Sequence, residues 1–177
     1  LRVAVVPVKI HVGGYPPAPV PGSAGEVRAT LENDLQTVWP LRSDEVAVEL
    51  LSAFDFHGLR TSLPSRIWTF GLMSDLDGAL NAFLQEYNAH VATKQRYDRI
   101  VGVVGKNALN SVFASRVFGA TYPGSRASLV DESSPGAAIH ELGHTFNLYL
   151  NPEEYDVPAR VKNQAWFDGQ GGMVVEG

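Results

Sequence analysis

Two runs of β-branched residues constrain this chain most. Val3 to Val12 alternates and then saturates with Val and Ile, and Ile100-Val101-Gly102-Val103-Val104 is saturated throughout. Runs this short and this apolar read as strands, the first largely buried and the second central in a sheet. Pro7 interrupts the first run, which points to an edge or a bulge there. Burying such strands takes a sizeable core. The chain has the means: 177 residues, 45% of them hydrophobic and 19% charged, the profile of one folded domain.

Between the two runs the pattern alternates with helices. Gly13 to Gly25 is rich in Pro and Gly and reads as an irregular surface loop. Glu26 to Trp39 follows as a helix, with Val27, Leu31, Leu35 and Val38 on one face and Pro40 ending it. Glu45 to Leu51 alternates as a second strand, and Ile67 to Phe70 suggests a further short one. Ser74-Asp75-Leu76-Asp77 opens a helix running through His90. After the central run, a Ser/Gly-rich segment leads to a strand at 127–131. Ser134-Pro135 then supplies an N-cap and first-turn proline for a last helix over about 135–149. This order predicts an α/β fold: a twisted mixed sheet of about four or five strands with packed helices, the last beneath the sheet.

Composition removes several classes of function. A formal net charge of −5 argues against nucleic-acid binding, which needs a basic face to neutralise phosphates. No run of 18 apolar residues is present, so no membrane span is expected. With no cysteine there are no disulfides, thiolate metal sites or Cys nucleophiles. Gly102 to Lys106 lacks the spacing of a phosphate-binding loop. His11, His57 and His90 read as structural or exposed, and Asp55, Asp75 and Asp77 as loop or capping carboxylates.

The last helix carries the chemistry. It contains His140-Glu141-Leu142-Gly143-His144, an H-E-x-x-H motif. Histidines at i and i+4 project from one helical face about one turn apart, so both can reach a single ion. A metal such as zinc brings the pKa of a bound water near neutrality, and Glu141 is placed to take the proton. The competing reading is an amphipathic helix whose polar face happens to show His, Glu and His. The apolar stripe of Ile139, Leu142, Phe146 and Tyr149 weighs against it, because it leaves both histidines off the packed face.

Through residues 138–146 the chain resembles a zincin metallopeptidase, and more narrowly a metzincin-like one, with pattern H-E-x-x-H-x-x-G-x-x-H. The resemblance implies a zinc-dependent endopeptidase, a zinc cofactor, a peptide substrate held as an extended strand, and an exported setting; the start at Leu1-Arg2-Val3-Ala4, without an initiator Met, reads as that of a mature or excised domain. It assigns metal binding to His140 and His144 and the general base to Glu141. It also implies an antiparallel edge strand beside the peptide, matched here to residues 127–131. Two positions depart from the pattern: Asn147 replaces the glycine and Leu150 the third histidine. Asn tolerates the left-handed turn, but Leu cannot ligate zinc. A carboxylate just beyond must serve instead: Glu154 first, then Asp156, then Glu153. Met173 is the candidate for the methionine turn of the family, and Tyr155 or Tyr149 for transition-state stabilisation. Loss of the third His also fits an inactive zincin-fold binding module, and a zinc hydrolase acting on another bond is the remaining alternative.

Overall fold

A computed structural model describes residues 1–12, 21–39, 41–58, 65–106, 118–122, 124–146, 165–167 and 173–175. The chain is α/β, with a six-stranded mixed sheet. Strand β1 (Arg2–Val12) lies inside it, parallel to β4 (Arg99–Val104) on one flank. On the other flank lie β2 (Ala47–Leu50) and then β3 (Phe54–Gly58), both parallel to β1. Beyond β4 come β6 (Ala127–Asp131), parallel to it, and β5 (Gly119–Ala120), antiparallel and outermost.

The register accounts for Pro7. Val5 pairs with Leu50 and Val8 with Phe54, so Ser52 and its two neighbours face only Val6 and Pro7. The neighbour therefore bulges opposite the proline. Leu51 N–H donates to Val5 O at 2.9 Å, and residue 7, two positions on, faces the same flank. The N–H that proline lacks thus falls where no ladder bond is required, and a proline is tolerated in an interior strand.

Three helices among the described residues cover the two faces: α1 (Ala24–Val38), α2 (Ser65–Ala89) and α3 (Ala137–His144). Even-numbered β1 residues (Ala4, Val6, Val8, Ile10) pack with Leu76, Leu80 and Leu84 of α2. Odd-numbered Val3 and Val5 pack with Val27, Leu31 and Leu35 of α1 and with Ala138 and Leu142 of α3. This is why the strands read as saturated rather than alternating: both faces are covered. Gly102 lets α2 approach, since a Cβ there would stand 2.8 Å from Leu80 Cδ1.

Several expectations are corrected. Residues 67–70 are helical, part of α2, which starts at Ser65 rather than Ser74. Their β-branched and aromatic side chains favour strands locally, and the longer helix overrides that preference. Asp75 and Asp77 consequently lie inside α2, and Asp55 in β3, rather than in loops or caps. The mixed α/β sheet is as expected, and among the described residues it has six strands, with β3 and the two-residue β5 added to those read from the sequence. Residues 127–131 are not the antiparallel edge: β6 runs parallel to β4, and β5 takes the edge. The last helix starts at Ala137 with Gly136 at its N-cap, and no side chain caps it. Ala137 N–H instead bonds Ser134 O at 2.9 Å, so the expected cap residue contributes only its carbonyl. Met173 opens β8 (Met173–Val175), paired with Phe167 of β7 (Ala165–Phe167), and so stands in a strand rather than a turn. No helix among the described residues is long and apolar enough to cross a membrane.

Candidate metal centre

The core fixes the rotation of α3 about its axis. Ala138 and Leu142 are fully buried against β4, β6 and α1, which leaves His140 exposed and His144 partly so on another side of the helix. One turn apart, the two imidazoles converge. Their Nε2 atoms are 3.0 Å apart, and the rings meet edge to face at 85° with centroids 4.6 Å apart.

That separation can be compared with what a metal requires. Zinc–imidazole bonds of about 2.0–2.1 Å at a tetrahedral angle put two nitrogens about 3.3 Å apart. The observed 3.0 Å differs by a few tenths of an ångström, within reach of small ring rotations. At this distance one Nε2–H can donate to the other nitrogen. Partial desolvation of the ring, and then the neighbouring His144, hold the His140 pKa below its ordinary value, which favours the neutral imidazole that ligates metals.

Glu141 points to the sheet edge. It is only 8% exposed and reaches β5, where Thr121 Oγ1 lies 2.9 Å from its Oε2 and 3.0 Å from its own carbonyl oxygen. Gly119 leaves the space: a Cβ there would stand 2.5 Å from Glu141 Cγ and 2.8 Å from Oε1. Burial raises the Glu141 pKa, against smaller opposing effects of the Thr121 hydroxyl and of His144. A carboxylate raised in this way is a better proton acceptor near neutral pH.

The far end of α3 is anchored from β4. Arg99 Nε donates to Thr145 Oγ1 at 2.9 Å and Nη2 to Thr145 O at 3.3 Å, and its guanidinium stacks 3.9 Å from the centroid of the Phe146 ring. Trp39, at the end of α1, meets Phe146 edge-on at 5.2 Å. A helix C-terminus leaves its last carbonyls without intrahelical partners, and Arg99 supplies donors there.

No protein-family model matches the chain, and no curated protein shows significant similarity to it.

The structure thus brings His140 and His144 together on α3 and turns Glu141, on the same helix, to the sheet edge. Tyr149, Glu153, Glu154, Tyr155 and Asp156 lie outside the described residues, as do Asn147 and Leu150. Among the described residues, no group of three or more His, Cys, Asp or Glu is arranged to hold a metal. The expectations from sequence did not include Gly119 and Thr121. Their only signal is a short run of small residues, Gly119-Ala120-Thr121, about twenty positions before the motif.

Proposed function

We propose that this chain is a zinc-dependent endopeptidase. The observation that carries the reading is the convergence of the His140 and His144 Nε2 atoms at 3.0 Å, with the Glu141 carboxylate held at the adjacent sheet edge. His140 and His144 would hold the metal through Nε2. Glu154 is the first choice for a third ligand, ahead of Asp156 and Glu153. When bound, zinc supplies Lewis acidity and brings the pKa of its water near neutrality. Glu141 takes a proton from the attacking water on a carboxylate oxygen and passes it to the leaving amine nitrogen. An extended peptide would lie along β5, the outermost strand of the sheet, by strand addition.

Elemental mass spectrometry on protein purified without chelators tests the metal. The expected result is about one zinc per chain, lost in His144→Ala, together with cleavage in a peptide-library digestion that Glu141→Gln abolishes. No zinc uptake at micromolar excess would overturn the reading. Leu150 at the third-histidine position favours one alternative, an inactive zincin-fold binding module, for which no bound zinc is the expected result.

A further inference from the structure

Glu141 is fixed from outside its own helix. The Thr121 hydroxyl, just past β5, lies within hydrogen-bonding distance of two acceptors on this residue: the backbone carbonyl at 3.0 Å and Oε2 at 2.9 Å. The carbonyl is among the last four of α3, which have no partner inside the helix. Its single proton is shared between these two acceptors, so one hydroxyl links the sheet edge to the backbone and the side chain of the same residue. Two residues earlier, the bare Cα of Gly119 leaves the space that Cγ and Oε1 fill, and any larger residue would close it. The carboxylate is thus confined by a donor at Oε2 and by a surface against Cγ and Oε1 that only glycine provides.

We propose that Thr121 is a positioning residue that acts through Glu141, holding its carboxylate in one orientation at the edge of the sheet. The proposal rests on the reading of Glu141 as the proton acceptor. A long, flexible side chain must be fixed before it can transfer a proton along a defined path, and fixing it in advance lowers the barrier to the reaction. Among the described residues, both contacts of the Thr121 hydroxyl are to Glu141. Its loss should therefore affect the chemical step and leave metal binding intact.

The test compares wild type, Thr121→Val (nearly isosteric, without the hydroxyl) and Thr121→Ser (hydroxyl retained). Zinc content and affinity are measured by competition with a chelator, and kcat and KM with a fluorogenic peptide chosen from the library digestion. The expected result is a kcat at least tenfold lower in Thr121→Val with KM and zinc affinity unchanged, and recovery to within threefold in Thr121→Ser. A Thr121→Val enzyme with wild-type kcat would overturn the proposal. A second measurement needs neither metal nor substrate: the loss of stability caused by Thr121→Val, with and without Glu141→Ala, in metal-free protein. That loss should fall by at least half when the carboxylate is absent. An equal loss in both backgrounds would mean that the hydroxyl serves only the carbonyl, and would also overturn the proposal. If wild type binds zinc but cleaves no peptide, the peptidase reading fails, and this second comparison alone decides whether Thr121 holds Glu141.

Discussion

Replacing Gly119 with alanine tests the packing on which the candidate site depends. The added Cβ would stand 2.5 Å from Glu141 Cγ and 2.8 Å from Cδ, where carbon contacts prefer about 3.5–4.0 Å. One of the two must move by about 1 Å. Helix α3 cannot retreat, because Ala138 and Leu142 are fully buried beneath it. The Glu141 side chain must therefore rotate away and give up the Thr121 hydrogen bond to Oε2. A hydrogen bond to a charged acceptor contributes about 1.5–3 kcal/mol, and an off-rotamer side chain costs about 0.5–1.5 kcal/mol. Against this, the backbone of Gly119 is not in the left-handed region, so alanine restricts the unfolded chain and returns about 0.4–1 kcal/mol. Turning the carboxylate toward water recovers part of its burial cost. The net expectation is a destabilisation of about 1–3 kcal/mol, which for a chain of this size lowers Tm by roughly 3–9 °C. Thermal unfolding followed by circular dichroism measures it, with Gly78→Ala as the control. Gly78 lies exposed in α2 with nothing within 4 Å of a new Cβ, so that variant should gain about 0.5–1 kcal/mol. A Gly119→Ala protein as stable as wild type would refute the close packing of Glu141 on β5.

Three further outcomes are expected. Gly102→Ala places a methyl 2.8 Å from Leu80 Cδ1, 3.0 Å from Leu129 Cδ2 and 3.1 Å from Val8 Cγ2; overpacking of this kind costs about 1–3 kcal/mol, measurable as a lower urea midpoint with unchanged slope. Arg99→Met removes the donors to Thr145 and the charge over Phe146. It should cost about 1.5–3 kcal/mol and speed hydrogen exchange of the Thr145 and Phe146 amides, whereas unchanged exchange would show that α3 ends independently of β4. Asp55 titrates below its ordinary value of 3.8, chiefly through the hydrogen bond from His11, with burial opposing and Lys9 assisting. A carboxyl whose pKa is lowered by folding adds stability above 3.8 and loses it as pH falls further. Carbon-13 NMR of the Asp55 carboxyl should show its midpoint returning upward in His11→Ala, and an unmoved midpoint would exclude His11 as the main cause.

Elements that depend on short-range pattern were legible in the chain. The runs Val3–Val12 and Ile100–Val104 became β1 and β4, and the apolar spacing of Val27, Leu31 and Leu35 became the buried face of α1. The H-E-x-x-H motif was legible for the same reason, since i, i+4 spacing on a helix is enough to bring two side chains to one side. Elements that exist only through pairing were not. Strand β5 is two residues long and is a strand only because Val130 and Leu129 lie beside it. Strand β3 follows the bulge after Leu50, and its alternation of Phe54 and Phe56 with Asp55 and His57 is too brief to stand out. The start of α2 was masked by residues that favour strands when read locally.

What the sequence alone determined is the chemistry on offer: two imidazoles and a carboxylate on one short helix, in a chain with the core to support an α/β fold. Which way that helix faces was decided by tertiary structure, because it depends on burying Ala138 and Leu142 against residues more than thirty positions away, such as Val101 and Val103. The setting of Glu141 was decided there too. Its neighbours Gly119 and Thr121 come from the edge strand and the residue after it, about twenty positions earlier, and strand pairing at the sheet edge brings them together. Periodicity carries information over one or two turns of chain; contacts across a sheet edge have no such period, so only the folded molecule reveals them.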